Sequence, residues 1–245
     1  MATFRKIVEQ EFLEFCSTCT PQDVLEAVEA GFNVNAENEF GSTALDFAAR
    51  FNKDPEVVKV LLKFGANVNH QAYDGNTALM WASTEGTLEI IKILLDSGAD
   101  VNAKRQDDLT ALHGAARKNS PDVIKLLLSS GVNVNARDTN GMTPLLTAAM
   151  NNPDPEVINT LIDAGAEDVK SKNGNTALIL AARWNVPEVV SALLKAGANF
   201  MVKDLDGKNA LDYARENEKL KNSDIVLRLE KLISISQGGD NFAKA

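Results

Sequence analysis

The chain has 245 residues, 44% hydrophobic and 24% charged, and a net charge of −9. These proportions suit a folded chain rather than a disordered one, and the acidic surface repels phosphate backbones and anionic lipid, so neither nucleic acid nor membrane is an expected partner. Glu9, Glu11 and Glu14 interrupt the start of the chain where an export signal needs an unbroken apolar run, and no stretch approaches the roughly 20 apolar residues of a membrane span, so a cytoplasmic protein is expected.

The first segment, residues 4–37, holds a glutamate-rich first helix. A second helix follows, running from Asp23 to Ala30 and stopped by Gly31. That glycine opens a series, Gly31, Gly65, Gly98, Gly131, Gly165 and Gly197, at intervals of 34, 33, 33, 34 and 32 residues. A second series marks helix starts: Gly41, Gly75, Gly141, Gly174 and Gly207, with Asp108 in the remaining slot. Two residues after each member stands an N-cap candidate, Thr43, Thr77, Thr110, Thr143, Thr176 or Asn209.

These markers divide the chain into repeats 38–71, 72–104, 105–137, 138–170 and 171–203, a C-terminal cap 204–233 and a flexible tail 234–245. Each repeat is too small to bury its own apolar face and must stack on its neighbours, so the prediction is a single array of helix pairs. The pairs Ala48-Ala49, Ala115-Ala116, Ala148-Ala149 and Ala181-Ala182 allow close helix approach. Leu61-Leu62, Leu94-Leu95, Leu126-Leu127 and Leu193-Leu194 are expected to fill the layer between helices, and the glycines of the first series to close each second helix in the left-handed region.

Gly41 to Asn69 reads GSTALDFAARFNKDPEVVKVLLKFGANVN, and Gly75 to Asn102 reads GNTALMWASTEGTLEIIKILLDSGADVN. This pattern, Thr-Ala-Leu or Thr-Pro-Leu, a paired alanine, a Leu-Leu pair and then Gly-Ala-Asx-Val-Asn, resembles the ankyrin repeat over nearly the whole chain. The resemblance implies an all-α solenoid of stacked antiparallel helix pairs, with the Val-Asn segments projecting as hairpin-like loops. Glu167-Asp168-Val169-Lys170 lacks the Val-Asn signature, and the interval from Gly165 to Gly174 is 9 residues against 10 elsewhere, so an irregular loop is expected there.

Candidates for chemistry are few. Cys16 and Cys19 form a lone CxxC, which could serve as a redox pair or half a zinc site. No second pair exists, and a 34-residue offset sets Cys16 on Arg50 at a helix end and Cys19 in a turn, so a structural role is expected. His113 follows Leu112 near a helix start and reads as a local hydrogen-bonding residue. Neither paired carboxylates, a calcium loop nor a phosphate loop occurs. No catalytic residue, metal or cofactor is expected, and the chain does not read as an enzyme.

The resemblance sets on the concave face and loop tips the positions that the framework does not need. Phe40, Arg50, Phe51, Tyr73, Arg117, Met150, Arg183 and Trp184 are the candidate partner-binding residues among them, since interface centres favour aromatic, Met and Arg side chains. Arg50, Arg117, Arg183 and Arg215 occupy one repeated position, and they either form a binding stripe or cover neighbouring helices and pair with nearby carboxylates. The function expected is a monomeric, non-catalytic scaffold binding a partner protein. The alternatives are a metal or redox module at the CxxC and a self-associating spacer.

Overall fold

The computed structural model describes residues 9–238, so residues 4–8 of the first cap and 239–245 of the expected tail lie outside the described residues. The fourteen helices, with no strand among the described residues, are α1 Glu9–Phe15, α2 Pro21–Glu29, α3 Ala44–Phe51, α4 Pro55–Lys63, α5 Ala78–Glu85, α6 Leu88–Asp96, α7 Ala111–Lys118, α8 Pro121–Ser129, α9 Pro144–Asn151, α10 Pro155–Asp163, α11 Ala177–Trp184, α12 Pro187–Lys195, α13 Ala210–Glu216 and α14 Asp224–Gly238. They group into two compact units, one built on residues up to 115 together with 125–133, the other on 116–124 with residues from 134 onward. In the first, α3 packs on α1 and α5, and α4 on α2 and α6; in the second, α11 packs on α9 and α13, and α12 on α10 and α14.

Most of these helices are only seven to nine residues long, so nearly all their terminal N–H and C=O groups lack an intrahelical partner. Threonine meets the need at the starts. The side chains of Thr77, Thr143 and Thr176 accept from the backbone N–H groups of Met80, Leu146 and Ile179. Thr43 shares a capping box with Asp46, whose carboxylate accepts from the Thr43 N–H at 2.8 Å. His113 plays the same part for Thr110, its Nδ1 accepting from the Thr110 N–H at 3.2 Å.

At the helix ends, asparagine does the work. The Asn52 amide donates to the carbonyls of Cys16 and Cys19, Asn152 to those of Ala116 and Asn119, Asn185 to those of Ala149 and Asn152, and Asn217 to those of Ala182 and Asn185. Each amide, buried at Asn52, Asn152 and Asn185 and half-buried at Asn217, thus clamps its repeat to the one before it. Gly86 stands in this slot in the repeat 72–104, where an added Cβ would lie 2.7 Å from the Ala49 carbonyl, so backbone meets backbone directly.

The Asn of each Val-Asn segment forms a second ladder. Asn35, Asn69, Asn102 and Asn135 donate to the carbonyls of Gly65, Gly98, Gly131 and Gly165, the closing glycines of the following repeats. Asn35 and Asn69 also accept from the N–H groups of Asn67 and Asp100. The loop tips join by backbone as well, Tyr73 to Phe40 at 3.0 Å and Gln106 to Asp74 at 3.0 Å in the first unit, Lys172 to Asn140 and Leu205 to Asn173 in the second. Near Asp168 the pattern changes: Val169 N–H turns back to the Glu167 carbonyl, and the Asp168 carboxylate accepts from Ala177. A cleft of about 230 Å³ opens there between Ala166 and Ala198, floored by Leu145 and Leu193.

Several sequence expectations change in detail. Asp108 adopts φ 63°, the left-handed conformation of the glycines it replaces, which Asp tolerates better than most residues. In each leucine pair one member is fully buried, namely Leu61, Leu94, Leu127 and Leu193, while its neighbour is only half-buried, because successive helical positions point about 100° apart. The asparagine clamp also corrects the offset used for the CxxC: Asn52 reaches Cys16 as Asn152 reaches Ala116, so Cys16 occupies the second-alanine slot rather than that of Arg50. Finally, α14 runs on through residue 238, past the boundary at 233, because Leu229 anchors it in the core and nothing in its sequence breaks the helix before Gly238.

Two measurements test this account. Asn185→Ala strips donors from buried carbonyls and should lower stability by about 2–3 kcal/mol in urea denaturation, whereas Asn199→Ala, whose side chain only accepts from the Met201 N–H, should cost under about 0.5 kcal/mol. Asp46 is buried, and desolvation, opposed by the bonds from Thr43, pushes its carboxyl up to about 6. The native state therefore holds this proton more tightly than the unfolded chain, and the stability it contributes is lost as pH rises from about 4 to about 6. Asp46→Asn should gain on the wild type across that window; parallel urea midpoints would show that Asp46 titrates normally.

Candidate functional site

In the first unit three of the candidate residues, Phe40, Arg50 and Tyr73, line one cleft, and Phe51 lies beside Arg50 outside that lining. Phe40 and Tyr73 sit at consecutive loop tips tied by the backbone bond described above, and they are 66% and 64% exposed. Gly41 makes the stacking possible: a Cβ there would fall 2.5 Å from the Tyr73 ring, so only glycine leaves room for it. Arg50 projects from the last turn of α3, its guanidinium 4.0 Å from the centre of the Trp81 ring and 4.5 Å from that of Phe51, and it pairs with Glu85 at 3.2 Å. Phe40, Phe47, Tyr73 and Trp81 line a cleft of about 380 Å³, with Asp74 and Arg50 as its charged members.

The cation in this cleft is already engaged. Arg50 is half-buried between two aromatic faces with a carboxylate at its end, an arrangement that fixes the guanidinium plane and leaves its Nε without a partner. What the cleft offers a ligand is aromatic surface, not a free cation. Trp81 is the residue that the sequence reading missed. Its signal lay in the slot before the small pair, where Phe47, Trp81 and Tyr213 are aromatic and the other repeats carry Gly114, Thr147 and Leu180.

The second unit holds a different cluster. The Arg183 guanidinium lies 4.9 Å from the ring centres of both Trp184 and Tyr213, and the Lys208 ammonium 5.2 Å from that of Tyr213. Tyr213 is buried and donates its hydroxyl proton to Asp204 at 2.6 Å, a bond that together with burial pushes the phenol up to about 12. Asp204 also accepts from the backbone N–H groups of Asp206 and Lys208; burial works to raise its carboxyl, but the Tyr213 bond, these two backbone bonds and the Arg183 charge hold it below the usual range. Trp184 is 51% exposed, and Arg117, Met150 and Arg183 are all exposed at matching positions of successive repeats.

Arg215 stands six residues after its cap Asn209, where Arg50, Arg117 and Arg183 stand seven after theirs, so it does not share their position, and the four arginines of these last helical turns have two fates. Arg50 and Arg215 are neutralised, by Glu85 and by Glu230 at 2.8 Å. Arg117 and Arg183 have no ion-pair partner among the described residues.

Cys16 and Cys19 are free and buried, and the hydrogen bond between them, with desolvation, pushes the Cys16 thiol well up from its ordinary range. A thiol held in that state is a poor nucleophile and a poor ligand. Among the described residues no group of three or more His, Cys, Asp or Glu side chains could hold a metal ion, and no helix is long and apolar enough to cross a membrane. His113, spent on the Thr110 cap, is 2% exposed.

The solved structure of the human ASB11 ankyrin repeat domain is similar to this chain, with a TM-score of 0.76 and 26% identity over 89% of this chain and 96% of that one. Among curated proteins, the ankyrin repeat protein FPV233 of Fowlpox virus is 38% identical over 56 residues, and the glycerophosphocholine phosphodiesterase gde1 of Schizosaccharomyces pombe is 45% identical over 67 residues. These matches cover 23% and 27% of this chain but only 11% and 6% of those proteins, so each reflects shared repeats rather than a shared whole. The family model described as ankyrin repeats in three copies matches residues 16–105, 102–170 and 147–235, which together run from the turn after α1 to the end region of α14. With that coverage and a repeat chemistry of threonine caps, alanine pairs and asparagine clamps, the chain belongs to the ankyrin repeat family.

Proposed function

We propose that this chain is a non-catalytic scaffold that binds a partner protein through the side chains its repeat framework leaves unused. Ankyrin repeats are in general protein-protein interaction modules. The observation that supports the reading for this chain is the exposure of large residues at framework-free positions: Phe40, Phe51 and Tyr73 in the first unit, and Met150 and Trp184 in the second, with Arg50, Arg117 and Arg183 beside them. A folded chain with a net charge of −9 has polar residues enough for these slots, and exposed aromatic groups are characteristic of the energetic centres of interfaces.

The two units contribute different chemistry. The first offers an aromatic cleft whose arginine is internally neutralised, suited to an apolar or aromatic side chain of a partner. The second offers the exposed Arg117 and Arg183, the latter backed by aromatic rings. None of these side chains lies in the asparagine ladders or the alanine layer, so apart from the Arg50–Glu85 pair their loss leaves the hydrogen bonds of the framework intact.

The triple variant Phe51→Ala, Tyr73→Ala, Trp184→Ala should therefore melt within a few degrees of the wild type while losing the partner proteins that the wild type captures from a lysate, read by quantitative mass spectrometry. Equal capture by both proteins would overturn the assignment of these residues to binding.

A further inference from the structure

We propose that the second unit recognises an extended acidic segment of its partner, with carboxylates meeting Arg117 and Arg183 and an apolar side chain between them meeting Met150 and Trp184. This specifies the partner chemistry of the protein-binding reading and rests on it.

The inference follows from where the negative charge of this face goes. Glu230 is engaged by Arg215, and Glu216 by Lys208 at 2.7 Å. The oxygens of Asp204 accept from the Tyr213 hydroxyl and from two backbone N–H groups. Arg183 lies close enough to Asp204 to act on its charge, but no carboxylate oxygen of the described residues comes within ion-pair distance of the guanidinium. Two exposed guanidinium groups at matching positions of one unit, Arg117 and Arg183, thus have no ion-pair partner among the described residues.

Arg183 is also held in place. Its plane lies near the rings of Trp184 and Tyr213, and Tyr213 is itself fixed by Asp204. A guanidinium oriented in this way presents its N–H fork to a carboxylate with little further ordering, which is the property that distinguishes Arg from Lys at such sites. Met150, 36% exposed, occupies the same slot in the repeat between the two arginines, and a Met side chain adapts to varied apolar groups.

Spacing sets the register. Helices pack about 8–10 Å apart, so guanidinium groups two repeats apart stand roughly 16–20 Å from one another. An extended segment covers that span in about five or six residues. The expected ligand carries two acidic residues at about that separation with a large apolar residue between them.

The test is selection of a random peptide-display library on the full chain, with the enriched peptides synthesised, fluorescently labelled and titrated. The expected result is enrichment of this acidic–apolar–acidic pattern, affinity that weakens as salt is raised, and a loss of about tenfold for each of Arg117→Ala and Arg183→Ala, with unchanged circular dichroism. Enriched peptides without acidic residues, no enrichment at all, or equal affinity for the double variant would overturn the acidic-segment assignment, whereas protein binding as such stands or falls on lysate capture by the wild type. Binding of labelled oligothymidylate with the same arginine dependence would assign the face to polyanions and overturn it too. Arginine-dependent dimerisation in light scattering would make the occupant a second copy of this chain, with the same consequence.

Discussion

Short helices impose the constraint on which this structure depends. A helix of eight residues has roughly as many unpaired terminal groups as paired ones, and those groups must find partners when the helix is packed in a core. Here the partners come from the adjacent repeat: Asn52, Asn152, Asn185 and Asn217 each reach back to two carbonyls of the preceding helix end, while Asn35, Asn69, Asn102 and Asn135 reach forward to the closing glycines. Stacking is thus enforced by polar complementarity as well as by burial. A repeat separated from its neighbours would expose its apolar face and leave these carbonyls unpaired together, which couples the two penalties.

This division of labour frees other positions. The caps, alanine pairs, buried leucines and closing glycines consume one set of residues, and the loop tips and last helical turns are left to vary. The same slot can then acquire different chemistry in different repeats. In the last helical turns, Arg50 is half-buried against Trp81 and neutralised by Glu85, Arg117 and Arg183 at the matching position retain open charge, and Arg215, one position earlier in its repeat, is tied to Glu230. The slot before the small pair governs part of this outcome, because Trp81 and Tyr213 supply the rings against which Arg50 and Arg183 lie, whereas Gly114 and Thr147 supply none.

Irregularities have local causes of the same kind. Gly86 replaces a clamp asparagine where the Ala49 carbonyl occupies the space of a side chain, and Asp168 stands where the loop ladder would need an asparagine, leaving a cleft beside Ala198. Cys16, which invites a redox reading as half of a CxxC, fills the slot of a buried alanine and has its carbonyl held by Asn52. These are packing solutions within a repeat, and they show how one framework absorbs substitutions without changing its helix pairs.

The sequence by itself determined the repeat length, the helix starts and stops, the all-helical class and the small residues of the packed layer, because each rests on local chemistry: a threonine before a helix, a glycine after one, a period near 33 residues. It also singled out Phe40, Tyr73 and Trp184, since their slots are ones the framework does not fill. Only the tertiary structure decided which leucine of each pair is buried, that Cys16 aligns with alanine, that Trp81 completes the aromatic cleft, and which arginines are neutralised. Those outcomes depend on distances between side chains a full repeat apart, where a shift of a few ångströms separates an ion pair from an open charge, and a linear pattern carries no such distance.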